Sequence, residues 1–305
     1  MQVVLTLDYT DGVVATGARA AEDAGYDGVA TGEHLFFHGP HPNGFVALAA
    51  AAGATSRVRL LSSLTVLPLY PAALAAKLAT TLDQVSGGRF DMGVGVGGEY
   101  PPEFEAAGVD VTERGARTDE ALELMRSLWQ GEAVDFAGRF TRVPGLALTP
   151  GPAQAGGPPI WLGGRSPAAI RRAGRFADVW MPYMYTPEQL ASSLAEVRAA
   201  AEAAGRDPAG VGGAVFCWGG VDADAAVSRQ EVIDGVSAVY QQDFTTLADR
   251  YLLHGDPERV AARAREYADA GAEAVVFCPV GQGERRREIV DLFTTAVLPA
   301  LRPVP

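Results

Sequence analysis

Short apolar runs alternate along this chain with longer segments whose apolar positions recur every third or fourth residue. The first pattern is that of buried strands, the second that of helices with one core-facing stripe. Strands are expected at Val3–Leu7, Gly28–Thr31, Val58–Leu67, Phe90–Val96, Ile160–Leu162, Asp178–Met181, Gly213–Trp218 and Ala274–Cys278. Helices are expected at Ala15–Ala24, Gly44–Ala54, Ala72–Val85, Thr112–Trp129, Pro167–Arg175, Pro187–Ala204, Pro257–Ala270 and Arg287–Leu298, and 222–251 reads as helical with a break at Asp243-Phe244. Pro71 suits a first helical turn, Gly25 and Gly271 suit helix ends, and Thr112 reads as an N-cap. Residues 131–158, rich in Gly, Pro and polar side chains, interrupt the alternation, which then resumes.

Strands that alternate with helices pair in parallel. Eight such units in 305 residues predict an α/β fold, a (β/α)8 TIM barrel, as one domain over 1–305 with an insertion, 131–158, after the fourth helix. A hydrophobic fraction of 48% supplies a large core and argues against disorder. The net charge of −12 argues against nucleic-acid partners and anionic membranes, and Arg285-Arg286-Arg287 is too short a basic run to change that. The two cysteines, Cys217 and Cys278, lie in apolar strand patterns and are expected as buried free thiols. No signal peptide and no membrane-spanning run is read, so a cytoplasmic protein is expected.

In such a barrel the chemistry sits where strands end. The run LDQVSGGRFDMGVGVGG (Leu82–Gly98) ends a strand in Gly95, Val96, Gly97 and Gly98, followed by Glu99. The design returns at Ile160, where a strand ends in Gly163-Gly164-Arg165 and Ser166-Pro167 opens a helix. Glycine lets backbone approach a ligand closely, and amides at a helix N-terminus form an anion site. Two such mouths point to one polar ligand held between them. The first is not a dinucleotide fingerprint, because no helix follows it at once.

Glu33, His34, Ser62 and Ser63 also fall at expected strand ends. His34 is a candidate general acid/base or a hydrogen-bond partner for a cofactor ring; the competing reading is a loop histidine held structurally. Glu33 and Glu99 are candidate catalytic carboxylates, or solvated loop acids. His34, His38 and His41 are spaced like loose metal ligands, yet no cysteine or carboxylate completes a recognised pattern, and no metal is expected. Trp161, Trp180 and Trp218 read as barrel filling. Tyr70, Tyr100, Tyr183 and Tyr185 shape a substrate pocket or cover the rim.

Several segments, in order, resemble the luciferase-like monooxygenase superfamily: Glu33-His34; the run Leu60–Gly97; Glu103-Phe104 with Ala107-Gly108; ERGARTDEALELMRSLW (Glu113–Trp129); Pro158–Trp180; and Gly255–Val276. The resemblance implies a barrel enzyme holding FMN or the deazaflavin coenzyme F420 at its mouth. It implies a bulge in the third strand with a non-prolyl cis peptide at Ser63–Leu64 behind the ring, which makes Ser62, Ser63 and Leu64 cofactor-binding candidates. It brings Gly95, Val96, Gly97 and Gly98, and Gly163 and Gly164, to the phosphate and tail, with Arg165 adding charge. It sets Glu33 and His34 at the ring. Coenzyme F420-dependent hydride transfer to or from a small organic substrate is the first expectation. An FMN-dependent monooxygenase fed by a separate flavin reductase is the alternative, and a non-catalytic flavin-binding barrel the third. Tyr70 stands where the family often has histidine, and Gly98 where a sugar-phosphate dehydrogenase branch has glutamate, with Glu99 one residue later. The basic residues which that branch uses for phosphate have no match, so a sugar phosphate is not expected. The resemblance also implies a homodimer through helices beside the second and third strands. The substrate pocket is expected from the insertion and the loops around Tyr183 and Asp243.

Overall fold

The computed structural model describes residues 1–9 and 14–302. Its parallel strands are β1 (Gln2–Thr6), β2 (Gly28–Thr31), β3 (Arg59–Ser62, resumed at Thr65–Val66), β4 (Phe90–Gly95), β5 (Ile160–Leu162), β6 (Val179–Trp180), β7 (Gly212–Gly219) and β8 (Ala272–Pro279). Neighbours pair in this order, and β8 pairs with β1, Ala274 opposite Gln2, so the ring closes as a (β/α)8 barrel. The helices are α1 (Val14–Asp23), α2 (Gly44–Ala54), α3 (Ala72–Ser86), α4 (Pro101–Ala106), α5 (Arg114–Leu128), α6 (Pro167–Phe176), α7 (Pro187–Ala203), α8 (Ala225–Tyr240), α9 (Ala248–Tyr251), α10 (Pro257–Asp269) and α11 (Gly283–Leu292).

The apolar runs of the strands are continuous because both strand faces are buried. Successive residues point to opposite faces. Val4, Leu61 and Val276 fill the lumen with Trp161 and Met181, while Val3, Leu60 and Val275 face the helix layer. Of the tryptophans expected inside, only Trp161 is in the lumen; Trp180 faces the helices and Trp218 lies half-buried at the rim. Both cysteines are buried and free. Helix ends follow local chemistry. Ser166, Asp256 and Thr186 cap α6, α10 and α7 with side-chain oxygens, and Gly87 ends α3 at φ 69°.

Three expectations are corrected. The third strand is not the continuous 58–67 strand that the apolar run suggested; it breaks at Ser63–Leu64, whose peptide bond is cis as the resemblance implies, and gives way to a 3-10 turn at Leu67–Leu69. Here Ser62 presses on β4, and a Cβ at Gly93 would sit 1.8 Å from the Ser62 carbonyl oxygen, so only glycine fits. Thr112 is not an N-cap. Asp110 accepts from its amide at 2.8 Å and starts a 3-10 turn (Val111–Glu113) that leads into α5. The break expected at Asp243-Phe244 is present: 222–251 holds two helices, α8 and the short α9, separated by residues 241–247.

The insertion does not build the barrel mouth as one piece, and its two halves dock in different places. Its hairpin, Val134–Ala137 with Arg142–Leu146, is tied to α5 by Glu120, which accepts from the amides of Arg139, Phe140 and Thr141. Its second half docks through Gln154 onto Asp83, the Phe90 carbonyl and Arg59. Phe90 and Arg59 begin their strands, so this part covers the N-terminal end of the barrel, opposite the chemistry. Among the described residues no helix is long and apolar enough to cross a membrane.

At the end of α1, Glu22 accepts from the amides of Ser56, Arg57 and Val58 at 3.0, 2.6 and 3.0 Å. Burial works against its charge, but these donors outweigh burial and lower its carboxyl from 4.5 to about 2. The folded chain binds that proton more weakly than the unfolded chain does. Its stabilisation is therefore complete above pH 4.5 and declines as pH falls toward about 2. Glu22→Gln is expected to lower the melting temperature at pH 7 and to approach the parent at pH 2. A gap that stays constant across the titration would exclude the charge as its cause.

Candidate active site

The turn after β2 carries Glu33 and His34, which have different surroundings. Glu33 is buried; its Oε2 accepts from the Gly44 amide at 2.8 Å and the Tyr70 hydroxyl at 3.0 Å, and its Oε1 from the Val66 amide at 3.2 Å. Burial raises its pKa and the three donors oppose that rise. Burial, then the Glu33 charge, also raises the Tyr70 hydroxyl, which receives a hydrogen bond from Asn43 Nδ2 at 2.6 Å. This carboxylate therefore joins the start of α2, the resumed part of β3 and the turn before α3.

His34 is held by a residue whose role the sequence did not disclose. Its Nδ1 lies 3.1 and 3.2 Å from the two carboxylate oxygens of Glu103, which is fully buried in α4. The Leu35 amide donates to the same carboxylate at 3.2 Å. A carboxylate facing an imidazole nitrogen accepts from it, which makes Nδ1 the donor, and among the described residues Nε2 has no hydrogen-bond partner. Phe37 stacks on the imidazole at 4.2 Å, and its ring also contacts His38 at 5.0 Å and His41 at 5.5 Å. The three histidines thus surround an aromatic ring, and burial holds His41 toward its neutral form.

The loop after β4 turns through Gly95, Val96, Gly97 and Gly98. Gly97, at φ 61°, backs so closely on Val66 and Phe104 that a Cβ would lie 2.7 and 3.0 Å from their side chains. Glu99 follows, exposed, and accepts a short hydrogen bond from the Tyr183 hydroxyl. Across the next strand, Gly163 lies against the Leu64 side chain, and Trp180 Nε1 fixes Gly164 through its carbonyl at 3.0 Å. Arg165 lies 4.8 Å from the centre of the Tyr183 ring and donates to the Met184 carbonyl at 3.1 Å. Burial, then Glu99, raises the Tyr183 hydroxyl.

The two glycine loops, Glu99, Arg165, His34, Ser63 and Leu64 therefore share the C-terminal rim of the barrel. Ser62 lies one step lower, its hydroxyl donating to the Gly93 carbonyl and accepting from the Gly93 amide, both at 3.0 Å. Ser63 differs, since its Oγ is buried and has no hydrogen-bond partner among the described residues. Of the four tyrosines expected at a pocket, Tyr183 and Tyr100 are at the rim. Tyr70 is absorbed by Glu33, and Tyr185 packs edge-on against Trp180 at 5.7 Å in the helix layer. Glu103 is not legible in the sequence as a partner of His34, which is 69 positions away, and α4 is too short for a periodicity signal.

A family profile described as luciferase-like monooxygenase matches residues 13–274. The chain belongs to that family. It is 30% identical over 318 residues to F420-dependent glucose-6-phosphate dehydrogenase of Nocardia farcinica, covering 93% of this chain and 92% of the relative. It is 37% identical over 209 residues to an uncharacterised protein of Mycobacterium tuberculosis, covering 62% of this chain and 71% of that one. Its fold is similar to that of monooxygenase RslO1 from Streptomyces bottropensis, with a TM-score of 0.85, 26% identity and coverage of 98% and 99%. This luciferase-like barrel is an enzyme of the oxidoreductase class.

Removing the Glu33 carboxylate leaves two amides and a hydroxyl without an acceptor. Glu33→Ala is expected to cost about 2–3 kcal/mol in denaturant unfolding. Full stability with lost turnover would instead assign Glu33 to the chemistry.

Proposed function

We propose that this barrel binds a flavin-type cofactor across its mouth, coenzyme F420 ahead of FMN, and catalyses hydride transfer to or from a small organic substrate. The observation that carries the reading is His34, held at Nδ1 by a buried carboxylate and open at Nε2, at a rim where two glycine loops meet. The rim suits such a group in two respects. The buried Ser63 hydroxyl lacks a partner, and such an orphan costs about 1–3 kcal/mol unless a ligand satisfies it. The first amides of α6, with Arg165 beside them, favour an anionic tail. Leu64 would back the ring, and Gly95, Val96, Gly97, Gly98, Gly163 and Gly164 would admit the tail.

Bound there, the deazaflavin supplies a carbon that accepts or donates hydride. The chain handles the accompanying proton. As a substrate hydroxyl is oxidised, His34 Nε2 takes its proton, and the Glu103 carboxylate stabilises the resulting imidazolium. In the reverse direction the same nitrogen returns it. Glu99, exposed beside Tyr183, orients the substrate or serves as a second proton acceptor. The likeness to RslO1 favours a second reading, a monooxygenase that uses reduced FMN from a partner reductase.

Calorimetric titration with coenzyme F420 and with FMN, oxidised and reduced, tests the choice. Micromolar binding of the deazaflavin with much weaker FMN is expected; preference for reduced FMN would move the protein to the monooxygenase class. With the cofactor bound, His34→Ala is expected to lower kcat about 10²–10⁴-fold. Unchanged turnover in this variant, or none in the parent with any acceptor, would favour the non-catalytic barrel.

We also propose that the protein is a homodimer through α2. Its outer face presents Val46, Ala49, Ala50 and Gly53, an uncharged stripe of small and apolar residues with Val46 71% exposed. Sedimentation at micromolar concentration is expected to show a dimer that Val46→Arg converts to monomer. A monomeric parent would remove this proposal.

A further inference from the structure

The rim opposite His34 is aromatic. In the closed ring β2 and β6 are four strands apart in either direction, so Tyr183 after β6 stands across the mouth from His34 after β2. An isolated parallel bridge joins Tyr183 to Phe216 of β7, and from there the rings form a chain. Phe216 meets Trp218 edge-on at 5.7 Å, and Trp218 meets Tyr240 edge-on at 6.4 Å while its Nε1 donates to the Tyr240 hydroxyl at 3.2 Å. Tyr240 lies 6.4 Å from Tyr183 and only 18° from parallel with it. All four rings are half-buried rather than enclosed. Tyr240 arrives on α8, which lies outside the plain strand–helix alternation.

Polar groups bordering this wall are selective. The Tyr183 hydroxyl donates to Glu99 Oε1, and among the described residues Oε2 has no hydrogen-bond donor. The Arg165 guanidinium, assigned above to the cofactor's anionic tail, also packs on the Tyr183 ring and donates to the Met184 carbonyl. At the neighbouring strand end Arg286 is engaged by the backbone oxygens of Thr6 and Pro279. A phosphate dianion would therefore meet a carboxylate and no uncommitted cation along the wall. A flat uncharged ring would gain aromatic contacts, and a donor on it would find the open carboxylate oxygen.

We propose that the substrate is an uncharged aromatic molecule with a hydroxyl or amino donor, its ring laid against Trp218 and Tyr240 and its donor on Glu99. The proposal rests on the reading of this mouth as the oxidoreductase site, and it departs from the sugar phosphate named for the Nocardia relative. With one face of the mouth given to this wall, the reacting carbon lies between it and the imidazole across the rim.

Ligand-observed NMR and calorimetry with 4-methylphenol, cyclohexanol and glucose 6-phosphate test it, on the full chain with and without coenzyme F420 or FMN. Cofactor uptake is read separately by the fluorescence of each. 4-Methylphenol is expected to bind about tenfold more tightly than cyclohexanol, and glucose 6-phosphate not at all. Tyr240→Leu is expected to weaken 4-methylphenol about tenfold while Tyr240→Phe, which keeps the ring, does not. Circular dichroism verifies that both variants fold, and Trp218→Leu repeats the test should Tyr240→Leu fail to. Equal binding of phenol and cyclohexanol, tighter binding of the sugar phosphate, or a folded Tyr240→Leu with parental affinity would each overturn the proposal. Ring-dependent phenol binding without uptake of either cofactor would sink the cofactor reading and leave this one standing. Cofactor uptake with phenol binding indifferent to residue 240 would do the reverse.

Discussion

Parallel strands closed into a ring release the chain at one rim, and the turn after each strand delivers its side chains there. Closure leaves the lumen too narrow for anything but side chains, and Trp161, Met181 and Leu61 fill it. Chemistry is therefore confined to the loops, and the precision of the site depends on how firmly those loops are held. Where β3 meets β4 the constraint is tightest. The Ser62 carbonyl occupies the space a side chain at position 93 would need, while the Ser62 hydroxyl closes both hydrogen bonds with Gly93.

Buried and half-buried acids do much of the holding. Glu22 gathers three amides of one loop, Glu33 two amides and a hydroxyl, and Glu120 three amides of the hairpin. Hydrogen bonds from neutral donors to a carboxylate are stronger than neutral pairs, and a buried amide left without an acceptor is costly. Such acids convert irregular segments into defined positions. Glu103 belongs to the same class but accepts from an imidazole as well as an amide. In an acidic chain, then, part of the negative charge is internal architecture rather than surface repulsion.

The two sides of the mouth differ in kind. Around His34 are an acid and other imidazoles gathered about the Phe37 ring, suited to moving protons; around Trp218 and Tyr240 are half-buried rings, suited to contact area. The sequence placed His34, Glu99 and the glycine loops at strand ends from the alternation alone, but it could not pair them. Glu33 and His34 are adjacent in the chain, yet one joins three backbone segments and the other is open at Nε2. That difference depends on what packs over each, and nothing in a dipeptide records it.

Apolar periodicity determined the strand and helix order, and with it the barrel, because burial on both faces of a strand and on one stripe of a helix writes different patterns. Strand-end position then located the rim. The break of β3 at Ser63–Leu64 was invisible in that pattern, since an apolar run reads the same whether continuous or kinked. The insertion's position was equally hidden: Gly- and Pro-rich segments carry no period, and only Glu120 and Gln154 finding their partners tied its hairpin to α5 and its second half to the end away from the mouth. Contacts between Glu103 and His34, Tyr183 and Glu99, and Tyr240 and Trp218 span tens of residues. Such pairs exist only once the ring has closed and brought the loops to one rim, so the tertiary structure alone decided which residues of this chain form a site.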